Sequence, residues 1–594
     1  YYDRPDWLRG NAWEYLEKQG NFSLFLQAIE RADYKDMLNG RSLCTVMAPT
    51  DEAFRKYLEK LGVASVADIS VKDLKVLMGY HLVKNAYEKE YMLEFIMDPN
   101  NEKPNSGEDK AYKFETNAQL MYRETVNPNT GRKIKIKPET KYLPVMSSRL
   151  FPKLNLDNPE DNYRYFFPDV KWQGTDEQLY AQGAAVTEAG IATDNGYVYV
   201  LDAVCEPLRT IYEAVQAPKK DEFSTFLKLY DKFAEVFYTS MNDEGDSLFT
   251  FDHYHIRHGR ESSKITRAKT TQYADELPSL ASESAYHNER YGARPDYFMN
   301  MTYCYNAFVP NNNALNTYFQ NFFEGFASID DVPQLTLYYL FQPIGREEQD
   351  IILPEMFERD GQKGIYGEKW MITRDNVVNA EFCANGILYG LNTVLEPLLF
   401  HGICKPMFST PDFSIMANVF FKADEFVTLA DDTEDRYSLL ILADSTLESE
   451  QYNMTLDYGN SYFNDANEVV KKNMEKMSND DIQTLGDKHI VNGAIRDFSK
   501  VRYFATRNAF TYVYTGKNAA GEDCLYDCGG NQLNIINKWD ENQGISNGVT
   551  FQIDQIVSTA SLTLAEQLSA HFPKFLDLLR TADLAKVADN GKVT

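Results

Sequence analysis

The chain has 594 residues and a formal net charge of −28. This length predicts several domains rather than one hydrophobic core. Hydrophobic residues make up 43% of the chain and charged residues 25%, which is typical of a folded protein and excludes a disordered one. The acidic balance argues against nucleic acid and anionic lipid as partners, because both attract basic surfaces.

The beginning of the chain carries no initiator methionine and no signal-peptide pattern. We therefore expect a processed form whose membrane anchor is a lipid outside this sequence, since no apolar run reaches the length of a membrane span. Residues 1–20 are aromatic and are predicted to pack on the first domain. The seven cysteines are scattered along the chain, and Cys524 and Cys528 are the nearest pair. We predict that the cysteines are small buried residues, and a disulfide is the alternative.

One helical pattern occurs four times along the chain. Apolar residues at i, i+3, i+4 and i+7 predict an amphipathic helix against a core, and Asn21 is a candidate N-cap of the first copy. The four copies are Phe22, Phe25, Leu26 and Ile29; Phe223, Phe226, Leu227 and Tyr230; Phe413, Met416, Ala417 and Phe420; and Phe572, Phe575, Leu576 and Leu579. Four matching stripes predict a repeated unit.

A strand that leads into a capped helix follows the first three of these stripes. The first copy spans residues 43–54, where Thr50 is the predicted cap and Asp51 lies in the first helical turn, which favours carboxylates. The second copy has Asn311 in the capping position. The third copy lacks the proline before the helix and is predicted to use Asp444.

An Asn-Gly turn that enters a β-prone run closes each unit. This pattern is typical of a β-hairpin. The three turns are Asn195-Gly196, Asn385-Gly386 and Asn547-Gly548.

Taken together, these signals resemble the fasciclin family over nearly the whole chain. The segment Ala-Pro-Thr-Asp-Glu-Ala-Phe at residues 48–54, then Tyr80-His81-Leu82-Val83, then the Asn-Gly strand follow the order of that family. The third unit carries Lys488-His489 in place of Tyr-His, and the second, at residues 338–341, has no histidine. The resemblance implies an α+β fold of tandem fasciclin-like domains, each a small β-sandwich-like core with packed helices.

The signals also predict domain limits. Long stretches within the first two domains are predicted insertions, where specificity usually resides. A fourth domain is begun but incomplete, so we expect the native polypeptide to continue for most of another domain. The predicted domains comprise residues 21–208, 218–399, 406–559 and 562–594, after the N-terminal segment of residues 1–20.

Aromatic residues in the first insertion form a candidate ligand site. Tyr163, Tyr165 and Phe167 alternate and precede Trp172. Planar side chains in this pattern stack on a sugar ring or contact a partner protein, and the alternative is that they form part of the core.

Two histidine-containing segments are the other candidates. His253, His255 and His258 form H-x-H-x-x-H, which predicts a metal site if the first two share a strand face, with a polar strand face as the alternative. Tyr80 and His81 match the segment that the resemblance associates with receptor contact in animal family members. The alternative there is a helix end whose histidine is satisfied by the backbone.

No pattern in the sequence supports catalysis. Residues 544–548 match G-x-S-x-G, but a strand follows the serine where a nucleophile elbow needs a helix. No Gly-rich phosphate loop or cofactor fingerprint occurs, so we expect no enzyme activity and no cofactor.

The function is therefore expected to be binding. The chain resembles large fasciclin-like lipoproteins of Gram-negative gut bacteria associated with SusC/SusD-like outer-membrane uptake systems. That resemblance implies a lipid-anchored surface protein that partners an outer-membrane transporter or other surface proteins, with a glycan as a further candidate ligand. The alternative is a cell-adhesion or matrix-assembly protein.

Overall fold

A computed structural model describes residues 9–93, 113–252, 305–430, 436–455, 469–560 and parts of 566–586. Short gaps within these ranges fall at 41, 119–122, 128–130, 138–140, 217–221, 234, 324, 342–344, 348–350, 364–367 and 385. The chain divides into two compact units. One unit holds the first and second sheets described below, and the other holds the third.

The first repeat contains eight helices and nine strands within its described residues. These are α1 (Ala12–Gln19), α2 (Ser23–Arg31), α3 (Lys35–Asn39), β1 (Cys44–Pro49), α4 (Asp51–Leu61), α5 (Val71–Tyr80), β2 (Leu82–Lys84), α6 (Lys89–Leu93), β3 (Lys113–Glu115), β4 (Arg123–Val126), β5 (Lys133–Ile136), β6 (Tyr142–Ser147), α7 (Pro159–Arg164), β7 (Leu179–Ala181), β8 (Ala184–Thr193), β9 (Gly196–Leu201) and α8 (Ile211–Gln216).

The second repeat follows with the same alternation of helices and strands. Its described elements are α9 (Ser224–Tyr230), β10 (Glu235–Met241), β11 (Ser247–Asp252), β12 (Tyr305–Pro310), α10 (Asn312–Phe322), α11 (Gln334–Phe341), β13 (Gly345–Glu347), α12 (Pro354–Asp360), β14 (Gln362–Lys363), β15 (Lys369–Trp370), β16 (Val377–Cys383) and β17 (Gly386–Leu391).

The third repeat ends in a long antiparallel run of strands. Its described elements are α13 (Lys405–Ser409), α14 (Ser414–Lys422), α15 (Phe426–Leu429), β18 (Tyr437–Ile441), α16 (Asp444–Ser449), β19 (Tyr452–Thr455), β20 (Val469–Lys472), β21 (Glu475–Lys476), α17 (Asn479–His489), β22 (Ile490–Asn492), β23 (Tyr503–Ala505), β24 (Tyr512–Lys517), β25 (Asp523–Asp527), β26 (Gln532–Trp539) and β27 (Gly548–Ile553), after which comes α18 (Pro573–Thr581).

The main sheets of the first and third repeats have the same strand order. The first is β2-β1-β9-β8-β7-β6-β3 and the third is β22-β18-β27-β26-β25-β24-β23. In each, a bridge joins the two ends of the order, Val83 to Thr116 in the first and Val491 to Thr506 in the third. The core predicted as β-sandwich-like is thus one barrel-like sheet with helices packed on it. The second repeat shows the shorter order β13-β12-β17-β16.

The glycines of the three Asn-Gly turns occupy matching positions in the three sheets, and Asn385 of the second turn lies outside the described residues. Gly196, Gly386 and Gly548 each begin a strand that runs parallel to the strand after the first helices, opposite Cys44, Tyr305 and Tyr437 respectively. A side chain does not fit there, because a Cβ on Gly196 would lie 1.8 Å from the Cys44 carbonyl oxygen. In the third repeat, residues 540–547 separate β26 from β27, so the tight hairpin is confined to the first two repeats.

The asparagines of the first and third turns tie the chain together in the same way. The Asn195 side-chain oxygen accepts from the Ala12 amide at 2.9 Å, and its nitrogen donates to the Leu38 carbonyl. Asn547 makes the same pair of bonds, with the Ile403 amide at 2.8 Å and the Leu429 carbonyl at 3.1 Å. The asparagine therefore fixes the neighbouring helices as well as the turn.

Two of the four predicted helix caps, Asn21 and Asp444, are wrong. Helix α2 has Phe22 as its N-cap residue with no side-chain cap, so Asn21 does not cap it. The Asp51 carboxylate takes that role from the start of α4, accepting from the Leu24 amide at 2.8 Å. Asp444 does the same for Ile415 of α14 at 2.8 Å and is not the cap of its own helix.

In the other two positions the predicted caps are confirmed. The Thr50 hydroxyl accepts from the Ala53 amide at 3.3 Å, and the Asn311 side chain accepts from the Ala314 amide at 2.8 Å. Asn312, the residue after that cap, accepts from the Thr225 amide of α9. A single side chain at the start of the second long helix thus closes the first helix in all three repeats.

The first and second repeats share a hydrophobic core. Buried residues of the first sheet, of the 148–178 connection and of the second sheet form one cluster. A polar rim surrounds it, where Glu355 accepts from the Asp157 and Asn158 amides at 2.6 and 3.1 Å and Arg209 pairs with Glu381. Burial of this apolar area, at about 25 cal/mol per Å², holds the two repeats as one body.

Candidate functional site

Tyr80 and His81 lie at the end of α5 and are fully buried. The Cys205 amide donates to His81 Nε2 at 3.2 Å, so Nδ1 carries the proton and donates to the Met47 carbonyl at 2.7 Å. The Tyr80 hydroxyl donates to the Tyr142 carbonyl. Burial lowers the pKa of His81 to about 4, so its ring is neutral at physiological pH. Receptor contact by these two side chains stays a prediction.

His489 occupies the matching place in the third repeat. Its Nδ1 lies 2.8 Å from the Leu440 carbonyl, as His81 does from Met47. Burial also lowers the pKa of His489 to about 4. Its Nε2, however, has no hydrogen-bond partner within the described chain, whereas Nε2 of His81 accepts from the Cys205 backbone amide. The hydrogen bond that His81 Nε2 accepts thus has no counterpart at His489 in the described chain.

The aromatic residues of the first insertion pack among other rings. Tyr163 is 2% exposed and its hydroxyl donates to the Gln182 carbonyl at 2.5 Å. Trp172 stacks on Tyr180 with ring centroids 4.7 Å apart, and Phe167 contacts Phe382 of the second repeat.

Tyr165 lies at the edge of this group, half-buried, with its ring centroid 5.5 Å from the Arg374 guanidinium. Burial raises the pKa of both Tyr163 and Tyr165 above the ordinary value. A ligand role for the four predicted residues stays a prediction, and for Tyr163 it would require this core to open.

The predicted metal site, His253, His255 and His258, lies outside the described residues. Within the described ranges, no three His, Cys, Asp or Glu side chains are grouped so as to hold a metal ion. Six cysteines are described and all are free thiols, Cys524 and Cys528 among them. Burial raises the pKa of the Cys205 and Cys404 thiols, which disfavours the reactive thiolate.

The outer sheet faces of the first and third repeats correspond residue by residue. When the strand pairing is followed outward from Gly196 and from Gly548, Met146 corresponds to Gly516 and Tyr180 to Cys524. Met146 lies opposite Tyr180 in the first repeat, and Gly516 lies opposite Cys524 in the third. In the first repeat this face is buried under residues 148–178. In the third repeat, β24 and β25 are joined by residues 518–522 alone.

Four tyrosines stand on this outer face of the third repeat. We call Tyr503, Tyr512, Tyr514 and Tyr526 the tyrosine face. Tyr503 pairs with Tyr514 across β23 and β24, and Tyr514 with Tyr526 across β24 and β25. Their ring centroids are 5.0 and 5.2 Å apart. Tyr503 is 68% exposed and Tyr512 40%.

Contacts with the neighbouring strand fix the position of one ring in this row. Tyr526 lies over Gly516, where a Cβ would come 2.6 Å from its ring, and its hydroxyl donates to the Lys517 carbonyl at 3.0 Å. Gln532 continues the row on β26. Sequence reasoning missed this site. The available signal was the alternation of Tyr512 and Tyr514, which predicts one strand face, whereas the other two tyrosines join it only through strand pairing.

The repeated sheets with helices packed on them place this protein in the class of tandem α+β domain proteins. Residues 20–137 match the family model described as Fasciclin domain. The chain thus carries a fasciclin domain in its first repeat, and its fold is that of tandem fasciclin-like domains, as the sequence resemblance implied.

Among solved structures, the chain is similar to a FAS1 domain pair from the insect cell adhesion molecule Fasciclin I. The identity is 12% and the TM-score 0.20, over 64% of this chain and 98% of that one. No curated protein matches the chain. In the described part of the chain, no helix is both long and apolar enough to cross a membrane.

Proposed function

We propose that this protein is a non-catalytic binding protein of the cell surface that holds other proteins through its fasciclin-like domains. The observation that carries the proposal is the tyrosine face. Exposed tyrosines grouped on a sheet face are typical of protein interfaces, because each ring supplies apolar area and a hydroxyl at low entropic cost. The fasciclin match supports an adhesive or protein-binding role.

The chemistry of the described side chains agrees with binding rather than catalysis. The histidines at the helix ends are buried and neutral, and the pKa of His81 and of His489 is about 4. Such groups act poorly as general bases at neutral pH because they are enclosed by their own repeat. The proposal therefore assigns no catalytic residue.

For the biological setting, we propose an outer-membrane lipoprotein accessory to a SusC/SusD-like nutrient uptake complex. Support comes from the sequence resemblance and from the long additions to the first two repeats. The alternative is an adhesion or matrix-assembly protein, which the fasciclin match favours. In both settings the partner is a protein, and in the uptake setting we propose a glycan as a second ligand.

Chemical cross-linking in native membranes, followed by purification and mass spectrometry, tests the proposal. The wild-type chain is expected to recover an outer-membrane transporter in the uptake setting, or other surface proteins in the adhesion setting. A Tyr503→Glu variant places a charge on the tyrosine face and should recover less of that partner. Recovery of the uncross-linked chain alone from wild-type membranes would contradict the proposal.

A further inference from the structure

The tyrosine face differs from the rest of this protein in its charge. The chain as a whole carries −28, so two copies repel each other over most of their surfaces. The face itself consists of neutral side chains. Beside it, Arg502 pairs with Asp497 at 3.2 Å and Lys517 pairs with Asp523, and the Asp554 carboxylate accepts from the Asn534 side chain at 2.6 Å. A second copy therefore meets less repulsion at this face than the net charge of the whole chain implies.

The same face is also complementary to itself. Its row begins with Tyr503, continues through Tyr514 and Tyr526, and ends at Gln532, whose amide donates to Asn534 at 2.7 Å. A two-fold axis that lies in the plane of the face, perpendicular to the row, brings a second copy face to face with the first and reverses its row. Tyrosine hydroxyls of one copy then meet the amide side chains of the other. A patch that pairs with its own copy in this way is what a two-fold dimer needs.

The first repeat provides an internal precedent for covering this face. There, Met146 and Tyr180, which correspond to Gly516 and Cys524 on the same sheet face, are buried beneath aromatic rings that include Tyr163 and Trp172. The third repeat has only residues 518–522 in the place of that cover. Sheet faces pack at about 10 Å from each other when their side chains interdigitate.

We infer that the tyrosine face of the third repeat is a homodimer interface, where two copies of this chain pack sheet against sheet about a two-fold axis. This inference rests on the proposed function in that both use the same face for protein binding. It commits to a second copy as the occupant. Association is expected in the micromolar range, because the face is small compared with obligate interfaces.

Sedimentation velocity of the purified full chain tests the inference across protein concentrations and salt. Dimer is expected to increase with concentration. It should also increase from about 0.05 M to about 0.5 M NaCl, since salt screens the repulsion between two acidic copies but leaves the aromatic contact intact. A dimer held by ion pairs would weaken with salt instead, and that result would overturn the inference.

Two variants locate the contact. Tyr503→Glu changes the most exposed member of the face and should raise the dimer dissociation constant by at least about tenfold. Tyr503→Ser/Tyr514→Ser should do the same by removing aromatic contact without adding charge. Tyr91→Ser is the matched control, because Tyr91 is an exposed tyrosine of the first repeat, at 45% exposure. Thermal unfolding of each variant confirms that it is folded.

The outcomes separate the inference from the proposed function. A dimer that is lost in both face variants and kept in Tyr91→Ser supports the inference. A wild-type chain that stays monomeric at about 100 µM in high salt overturns it, as does a dimer indifferent to the face variants. If the monomeric chain still cross-links to another surface protein through Tyr503, the inference fails while the proposed function stands.

Discussion

In the first repeat the outer face of β6 and β7 is core, whereas in the third repeat the same face, on β24 and β25, meets solvent. The strand order and register are the same in both. The difference lies in the connection, residues 148–178 in one and 518–522 in the other. A loop length thus decides whether one face of a shared scaffold is used for folding or is left available for binding.

The two buried histidines show the same contrast on a smaller scale. His81 has hydrogen bonds at both ring nitrogens, while His489 has one partner and a buried, unpartnered Nε2 in the described structure. An unpaired buried polar atom costs about 1–3 kcal/mol. The histidine of the first repeat therefore links two backbone segments through hydrogen bonds at both ring nitrogens, whereas that of the third repeat makes one such bond.

The largest expected effect comes from removing a covering ring in the first repeat. Tyr163→Ala should cost about 3–5 kcal/mol of unfolding free energy, because it opens a cavity in the shared core. Tyr503→Ala in the third repeat should cost less than about 1 kcal/mol, since that ring is 68% exposed. Denaturant unfolding of both variants measures the contrast. Tyr163→Phe is the control, because it removes the hydroxyl and keeps the ring. Equal losses of unfolding free energy in Tyr163→Ala and Tyr503→Ala would refute the predicted contrast.

Alanine at the turn glycines should damage both repeats alike. Gly196→Ala and Gly548→Ala each place a Cβ against a carbonyl oxygen, at 1.8 and 2.2 Å, and at φ of +140° and +158°. We expect a loss of about 3 kcal/mol or more at each position. Gly486→Ala is the control, because it lies in α17 with its nearest contact at 3.6 Å and should be neutral or stabilising. A mild effect at either turn would show that the register is not fixed there.

Replacing the histidines should lower the unfolding free energy more in the first repeat, where the ring makes two hydrogen bonds, than in the third, where it makes one. His81→Leu leaves the Cys205 amide and the Met47 carbonyl unpaired and should cost about 2–4 kcal/mol, against about 1–2 kcal/mol for His489→Leu. Amide hydrogen exchange of β1 and β18 reports the two losses separately. A larger loss at His489 would contradict the assigned partners.

The same histidines predict acid sensitivity. Both have a pKa lowered by burial to about 4, so the unfolded chain binds their protons first as the pH falls. Their stabilising contribution is present above about pH 6.5 and is lost between about 6.5 and 4. Hydrogen exchange at several pH values should show β1 and β18 loosening across that window, and in the Leu variants the strand concerned should lose this dependence.

The smallest effect is expected at the helix-closing carboxylate of the third repeat. Burial raises the pKa of Asp444 to about 6, so its contribution is present below about pH 4 and is lost as pH rises through 6. Asp444→Asn, which copies Asn312 of the second repeat, should gain about 1 kcal/mol above pH 6 after allowance for its partial exposure. Thermal unfolding at pH 4 and 7.5 checks it, with Asn312→Asp as the reciprocal variant.

The sequence was informative wherever a signal is local. The apolar stripes and the Asn-Gly turns predict the repeats, because helical periodicity and turn chemistry are written in neighbouring residues. Two of the predicted helix caps, Thr50 and Asn311, are confirmed for the same reason.

The features that the sequence did not reveal are those made by distant residues. Asp51 at the start of α4 caps α2 through a tertiary contact, in place of the local cap expected at Asn21. The tyrosine face brings together three strands, and Tyr503 meets Tyr526 only through the ring of Tyr514. Periodicity within one strand cannot show which residues stand beside it on the next.

A strand pairing between the first two repeats sets a limit on how this protein can be divided. β5 of the first repeat runs parallel to β11 of the second, with Ile136 opposite Phe249 and Lys135 paired with Asp246. A recombinant fragment ending near residue 216 would keep β5 and lose β11, exposing an unpaired sheet edge that invites aggregation. The two repeats are therefore best inherited, expressed and exchanged between proteins as one piece.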